Sequence, residues 1–359
     1  MYKHHFGDCV YSTEDIHTVQ ATTIPTAVLA HASFPCTDTS VAGGRQGLAG
    51  PGSSAFWGFT RVLGELAENR PPLVLLENVE GFLTSNKGQD LTHALKALNN
   101  LGYCVDLILV DAAYFVPQSR VRLFIIGVKD FAPHNVLEQD IVLRQKTEAR
   151  PEKIITYIKT HSAIDWYLSD LPMLPKRAFT LETIIDPAAP WWDRKRSDYL
   201  FDQMHDHHRA RVTSFTAQNR WTYGTAFRRM RMRNGTEQST AEVRFDGIAG
   251  CLRTPKGGSA RQIVIRAGFG TFDARLLNAC ENARLMGADE YKLSTELSLN
   301  DALFGFGDAV CVPVIEWVSQ YSLEPLYVQL SGQQLQPAFL ETVSNGALLE
   351  KQADYLLFS

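Results

Sequence analysis

Four apolar runs, Ala27–Ala32, Leu73–Leu76, Val105–Val110 and Leu123–Val128, restrict what this chain can become more than any other feature. Each is short and rich in aliphatic or β-branched residues. The first three are separated by Ala55–Glu68 and Leu91–Leu101, where apolar side chains recur every three or four positions. Strand and helix alternating over about a hundred residues reads as an α/β fold, a doubly wound parallel sheet. Reactive groups in such a sheet gather at the C-terminal ends of strands, and Cys36 and Glu77 both fall there.

With 359 residues, 45% hydrophobic and 21% charged, the chain has material for one large or two moderate domains, and disorder is not its default. No continuous apolar run reaches the roughly eighteen residues of a membrane span, and the N-terminus leads into no apolar signal region, so the reading is cytoplasmic with no membrane partner. The cysteines at 9, 36, 104, 251, 280 and 311 form no CxxC, which predicts neither a zinc site nor a disulfide framework. His205-Asp206-His207-His208 lacks a second ligand cluster, so no metal is expected. The net charge of −4 conceals an asymmetry: residues 191–275 hold sixteen Lys and Arg against eight Asp and Glu, which is +8 and leaves −12 elsewhere. A local basic excess suits one surface that meets a polyanion.

After Val128 the alternation gives way to Pro-, Trp- and Arg-containing sequence through about residue 271, read as a second, irregular module. Helical patterns return at Ala274–Met286 and Val310–Tyr321. The expected organisation is 1–180, an insert at 181–272, a return at 273–326, and a tail at 327–359 with no readable chemistry.

Three fragments carry candidate chemistry. Ser33-Phe34-Pro35-Cys36-Thr37-Asp38-Thr39-Ser40 is followed by Leu75-Leu76-Glu77-Asn78-Val79, then by Gln118-Ser119-Arg120-Val121-Arg122. Singly, each has an ordinary explanation: an inert core thiol, a surface carboxylate, two solvated guanidiniums. A cysteine with a pKa of about 8.5 is only slightly thiolate at neutral pH and needs basic neighbours to act as a nucleophile. Arg120 and Arg122, two apart on a strand, share a face suited to an anionic or carbonyl group.

In this order and at these spacings, the fragments resemble the catalytic motifs of the cytosine-C5 DNA methyltransferases of bacteria and phages. The resemblance spans about residues 4–130 and resumes at 245–320. It implies a Rossmann-like methyltransferase sheet, S-adenosylmethionine as cofactor, double-stranded DNA as partner, and a restriction-modification or phage-defence setting. By analogy, Cys36 attacks C6 of a flipped cytosine, Glu77 engages N3 and the exocyclic amine, and Arg120 and Arg122 steady the nucleotide and the site. Ala42–Leu48, with Arg45 and Gln46, is similar to the glycine-rich loop that closes over DNA. Arg275–Gly287 resembles a helix that packs recognition and catalytic parts together. Phe306–Val314 resembles the final motif, with Asp308 where the family usually has Asn. On the same analogy the cofactor residues are Asp15, Ile16, Pro35, Asp308, Ala309 and Val310.

The family ordinarily opens with a strand and a Phe-x-Gly-x-Gly-Gly loop, then a second strand ending in an acid. Here the match starts at about His5-Phe6-Gly7-Asp8, and no glycine loop follows a strand upstream of Cys36. The expectation is therefore a sheet incomplete at its N-terminal side, feeble cofactor binding by the chain alone, and a complementary N-terminal fragment or subunit as partner. A DNA-binding regulatory member that holds no cofactor, or the larger piece of a split enzyme, are the alternatives. A tRNA-directed relative fits less well, because its recognition insert is usually short.

The insert at 181–272 is the expected target-recognition domain, with 1–180 and 273–326 catalytic. Trp191-Trp192-Asp193-Arg194-Lys195-Arg196 and Phe227–Gly235 interleave arginine with aromatics and Asn, as suits phosphate contact and base-edge reading. Arg228, Arg229, Arg231 and Arg233 are the candidate contacts there, joined by Arg253, Lys256 and Arg261 from a phosphate-contacting loop. The plain alternative is a solvated charged face.

Overall fold

Strands buried on both faces need continuous apolar runs, and Leu73–Leu76 supplies one, with each residue no more than 2% exposed. The computed structural model describes residues 5, 12–34, 54–138, 145–233, 235–254, 261–293, 297–332 and 355–358. Its strands are β1 (Leu29–Ser33), β2 (Leu73–Val79), β3 (Tyr103–Asp111), β4 (Val121–Lys129), β5 (Thr222–Arg233), β6 (Thr236–Arg244), β7 (Ile263–Gly268), β8 (Thr271–Leu276) and β9 (Tyr355–Phe358). They form two sheets, in the orders β3-β4-β2-β1-β9 and β6-β5-β7-β8. The chain divides into two compact units, one of 10–110, 121–174 and 317–359, the other of 1–9, 111–120 and 175–316.

In the first of these units β1 and β2 run parallel, joined through the helix Ala55–Glu65. That helix buries Phe56, Phe59, Val62 and Leu63, the three-and-four spacing that marks one apolar face. A second helix, Gln89–Asn100, follows β2 and is entered through Asn86, Lys87 and Gly88, all with positive φ. The fold is α/β as expected, but the sheet is mixed: β4 lies antiparallel to β2, from Leu73↔Val128 to Val79↔Arg122. Only residues 112–120 separate β3 from β4, fewer than the dozen or so that a parallel crossover needs.

The edge beside β1, expected to stand open, is occupied. β9, from the segment read as a featureless tail, pairs with β1 in parallel from Leu29↔Tyr355 to Ala32↔Phe358. Deep in the same unit, Arg150 donates from Nη2 to both carboxylate oxygens of Asp106, at 2.9 and 2.7 Å, with the two side chains 0% and 2% exposed. Ser169 N also donates to Asp106 Oδ2, and Arg150 Nη1 to Gln145 O, so the buried charges are met from several sides.

The other unit contains regular structure where the sequence reading expects an irregular module. β5 through β8 are antiparallel, and two hairpins turn, one between the paired residues Arg233 and Thr236 and one at Phe269-Gly270. Phe269 and Gly270 have φ of 50° and 77°, as a two-residue primed hairpin turn requires. A Cβ at Gly268 would stand 2.0 Å from Arg220 O, so only glycine fits there. The helical pattern expected from Ala274 is split: residues through Leu276 belong to β8, and the helix is Ala279–Leu285, begun by an Asn278–Glu281 capping box. Leu299–Ser331 has the length and mean hydropathy, 1.4, of a membrane span. It is nevertheless built as separate helices and broken at the extended residue Ala309.

Candidate active site

Ser33, the last residue of β1, stands opposite Glu77 in the parallel register. Alternation along each strand places His31 and Ser33 on the sheet face shared by Leu75 and Glu77. Glu77 is 7% exposed, and its Oε1 accepts from Arg122 Nε at 2.7 Å. Such a charge-assisted contact fixes both groups at the strand end. Asn78, next along, ties the adjoining loop: its Nδ2 donates to Phe34 O at 3.2 Å, while its Oδ1 accepts from Val79 N at 2.9 Å. The Phe34 ring packs against Phe56 and Phe82, each at 5.5 Å between centroids. The backbone leaving β1 is thus held by a hydrogen bond and by two aromatic rings just before Pro35-Cys36.

Cys36 and Pro35 lie outside the described residues, as do Arg45, Gln46 and Lys256. Of Arg233 only the backbone is described. Two buried polar atoms on β1, His31 Nε2 and Ser33 Oγ, have no hydrogen-bond partner among the described residues. Burial holds the His31 imidazole below its usual pKa, with the Glu77 charge pulling the other way.

Asp15 and Ile16 form a turn held against the helix Ala55–Glu65. Arg61 Nη2 donates to Ile16 O at 3.0 Å and to Val19 O at 2.8 Å. A Cβ on Gly58 would come within 2.9 Å of Ile16 Cγ2, so the turn approaches the helix closely because that position is glycine. The Asp15 carboxylate is 66% exposed and accepts from His17 N and His17 Nδ1. Both bonds hold its pKa below the usual carboxylate value.

In the other unit, Arg120 is 3% exposed and serves the chain's own backbone. Its Nη1 donates to Leu252 O at 2.9 Å, and its Nη2 to Gly307 O at 3.1 Å and Ala309 O at 2.6 Å. It thereby fixes the turn of Asp308, Ala309 and Val310, where the helix Leu299–Asp308 ends and Ala309 turns extended. Gly307 allows this meeting, since a Cβ there would lie 2.4 Å from Thr254 N and 2.6 Å from the Arg253 carbonyl carbon. Gln118 completes the knot, donating from Nε2 to Leu285 O and accepting at Oε1 from Leu252 N. Asp111 accepts from Arg120 N at 2.7 Å and from Ala113 N at 3.1 Å. Sequence reasoning quoted Gln118 within a motif but gave it no role. Full burial of a polar side chain such as Gln118 implies satisfied partners, but burial was not legible in the motif alone.

The basic strand β5 splits by alternation. Arg229 and Arg231 fall on one face, and Arg228 with Met230 and Met232 on the other. Arg228 is half-buried, donates to Gln203 Oε1 at 2.9 Å, and lies 5.9 Å from the Trp192 and Tyr199 ring centroids. Arg229 and Arg231 are exposed, Arg231 beside Glu242 at 3.3 Å. Arg266 has a structural place, its guanidinium 4.4 Å from the Trp191 centroid and 4.1 Å from Trp221, with Asp273 at 2.8 Å. Arg253 is exposed, and Arg261 donates to Asn300 Oδ1.

A family model described as C-5 cytosine-specific DNA methylase matches residues 1–321. The type II methyltransferase M.BanI of Aneurinibacillus aneurinilyticus is 33% identical over 159 residues, 44% of this chain and 36% of that one. The orphan methyltransferase M.SPRI of Bacillus phage SPR is 32% identical over 117 residues, 32% of this chain and 26% of that one. Among solved structures, the S. pombe Dnmt2 methyltransferase aligns over 90% of this chain and 86% of its own, with a TM-score of 0.54 at 15% identity, a likeness of fold. The matched region spans little more than a third of the length of the first of these curated relatives. With the family model covering most of its length, the chain belongs to the C-5 cytosine-specific DNA methylase family.

Proposed function

We propose that the chain carries the catalytic and target-recognition parts of a DNA cytosine-C5 methyltransferase that acts on a cytosine flipped out of duplex DNA, in the cytoplasm of a bacterium or of a phage-infected cell. The observation that carries this reading is the buried Glu77–Arg122 pair at the end of β2, opposite Ser33, which precedes Cys36 by three residues in the sequence. Cytosine is a poor nucleophile at C5, so a thiolate from Cys36 adds to C6 and pushes the ring electrons toward C5. Glu77 meets N3 and the exocyclic amine, where a hydrogen bond or proton stabilises the electron-rich ring. Arg122 keeps that carboxylate oriented. After methylation at C5, loss of the C5 proton to a base and departure of the Cys36 sulfur restore the aromatic ring. Extruding the base costs roughly a few kcal/mol, offset by contacts in the pocket.

S-adenosylmethionine, when bound, supplies an electrophilic methyl group. The residues present fit its nucleoside end: an exposed, charged Asp15 beside the half-buried Ile16, on a turn fixed by Arg61. Asp308, Ala309 and Val310, in the other unit and held in shape by Arg120, are the remaining cofactor candidates on the family analogy. The exposed arginines of β5, with Arg253 and Arg261, would contact phosphates and base edges.

Incubation with duplex DNA containing 5-fluorocytosine, S-adenosylmethionine and a fragment supplying a glycine loop is expected to give a covalent adduct that maps to Cys36. Cys36→Ser should abolish it. An adduct that survives this change, or maps to Cys251 or Cys280, would overturn the assignment.

A further inference from the structure

The basic strand β5 outruns the sheet it belongs to. β7 accompanies it only from Thr222 to Ala226, whereas β6 stays paired with it as far as Arg233↔Thr236. Among the described residues, Arg229–Met232 and Glu237–Thr240 therefore form a two-stranded ribbon that continues past the end of the four-stranded sheet. Its side chains are open to solvent: Met230 is 49% and Met232 69% exposed, and Arg229, Arg231, Glu237 and Gln238 are exposed as well. A bare two-stranded ribbon is at best marginally stable in water, so one of this kind is held at its root and completed by a partner.

Register sorts the ribbon into two faces. Arg229 stands opposite Thr240 and Arg231 opposite Gln238 on one of them, while Met230 with Ser239 and Met232 with Glu237 lie on the other. Glu242, on the arginine face but nearer the root, accepts from Arg231 Nη2 at 3.3 Å, and its second oxygen stands 3.8 Å from His208 Nε2. A carboxylate in that place orients the planar guanidinium fork and repels a phosphate that would otherwise occupy it. Arg229 is set differently, its guanidinium 5.2 Å from the Phe227 ring centroid.

We propose that the β5–β6 ribbon enters the major groove of the target duplex and that Arg231, positioned by Glu242, reads a guanine there, with Gln238 on a neighbouring base pair and Arg229 on a phosphate. The major groove, about 12 Å wide, admits a two-stranded ribbon, and an arginine fork matches guanine O6 and N7 as a glutamine amide matches adenine N6 and N7. Side chains directly opposite on a ribbon start about 5 Å apart at Cβ, within reach of base pairs stacked about 3.4 Å apart. Glu237 sits on the methionine face, so the arginine face is the one turned to the bases. This division of labour rests on the DNA methyltransferase reading and commits the recognition site to contain a guanine.

The test is selection of duplexes from a randomised DNA library by the purified full chain, followed by anisotropy titrations with the selected duplex. The parent chain is expected to fix a guanine, and Arg231→Ala to relax that preference by about 10-fold or more. Arg229→Ala should weaken selected and unrelated duplexes by the same factor and lower the salt slope by about one unit. Glu242→Gln should strengthen binding to unrelated duplexes while narrowing the discrimination at guanine. Replacing the selected guanine with 7-deazaguanine, which lacks the N7 acceptor in the major groove, should cost the parent about 5-fold or more in affinity and the Arg231→Ala variant nothing. A guanine preference that survives Arg231→Ala, or a 7-deazaguanine penalty equal in parent and variant, overturns the proposal. A parent chain that selects no base, or is indifferent to 7-deazaguanine, overturns it whatever the variants do. Melting temperatures separate lost contacts from lost folding. Neither the Cys36 thiol nor a cofactor enters these measurements, so failure of covalent trapping and failure of the ribbon assignment are separately visible.

Discussion

The two sheets use charge in opposite ways. Around the sheet of β1 to β4 and β9, two charged pairs are sunk into the protein: Arg122 with Glu77, Arg150 with Asp106. In the sheet of β5 to β8 the charges are many, and some are set by rings while others reach solvent. Arg266 sits between two tryptophans, whereas Arg229 and Arg231 are exposed. A buried pair fixes geometry at a desolvation cost, so it suits a site where one carboxylate must point one way. Exposed guanidiniums cost little to keep and bind a polyanion through released counterions. The +8 charge of residues 191–275 therefore overstates the surface available to DNA, since part of it is spent on internal packing.

The comparison breaks most visibly at Arg150. Replacing it with Met leaves Asp106 buried without its partner, and the expected loss is about 3–5 kcal/mol of unfolding free energy in urea. A loss under about 1 kcal/mol would mean that this buried pair is not a structural fixture. On the other sheet, Arg229, Arg231 and Arg233 replaced together by Ala should lower the slope of log affinity against log salt by about one unit per lost phosphate contact. Fluorescence anisotropy with a DNA duplex at several salt concentrations measures it. Arg266→Ala should lower thermal stability while leaving that slope in place, and a slope change as large as the triple variant's would erase the distinction between packed and exposed arginines.

A smaller effect is expected at His31. Because burial lowers its folded pKa, the neutral ring is favoured in the folded state, so its contribution is present above the unfolded value of about 6.5. It is lost as pH falls through 6.5 toward the lowered folded value, the opposite of a histidine that gains an anionic partner. His31→Gln should flatten the fall in melting temperature between about pH 7 and pH 5 relative to the parent chain. An unchanged slope would show that other histidines carry the acid sensitivity.

Much of the first sheet was legible because buried strands must be apolar. Val105–Val110 and Leu123–Val128 lie within β3 and β4, and the helix expected at Ala55–Glu68 runs Ala55–Glu65. The direction of β4 was not visible in its own residues; it follows from the short link between Asp111 and Val121. The β5–β6 hairpin was missed because its outer half carries Arg, Met, Thr and Gln in place of an apolar alternation. Its Asn234-Gly235 dipeptide was the available signal, being the pair a primed two-residue turn prefers. At the candidate site, the sequence pointed to Glu77, Arg120 and Arg122, but only geometry separates their work: Arg122 meets a carboxylate, and Arg120 meets backbone carbonyls. Four residues from the C-terminus gave no chemical reason to be read as part of a sheet.

The pairing of β9 with β1 also sets a timetable for the newborn protein. β9, beginning at Tyr355, is made long after β1, which ends at Ser33, so at about 5–20 residues per second the ribosome leaves that edge uncovered for on the order of tens of seconds. An unpaired strand edge invites other chains. Cells that produce this protein quickly should therefore rely on chaperones during synthesis, and slower translation or lower temperature should raise the soluble yield.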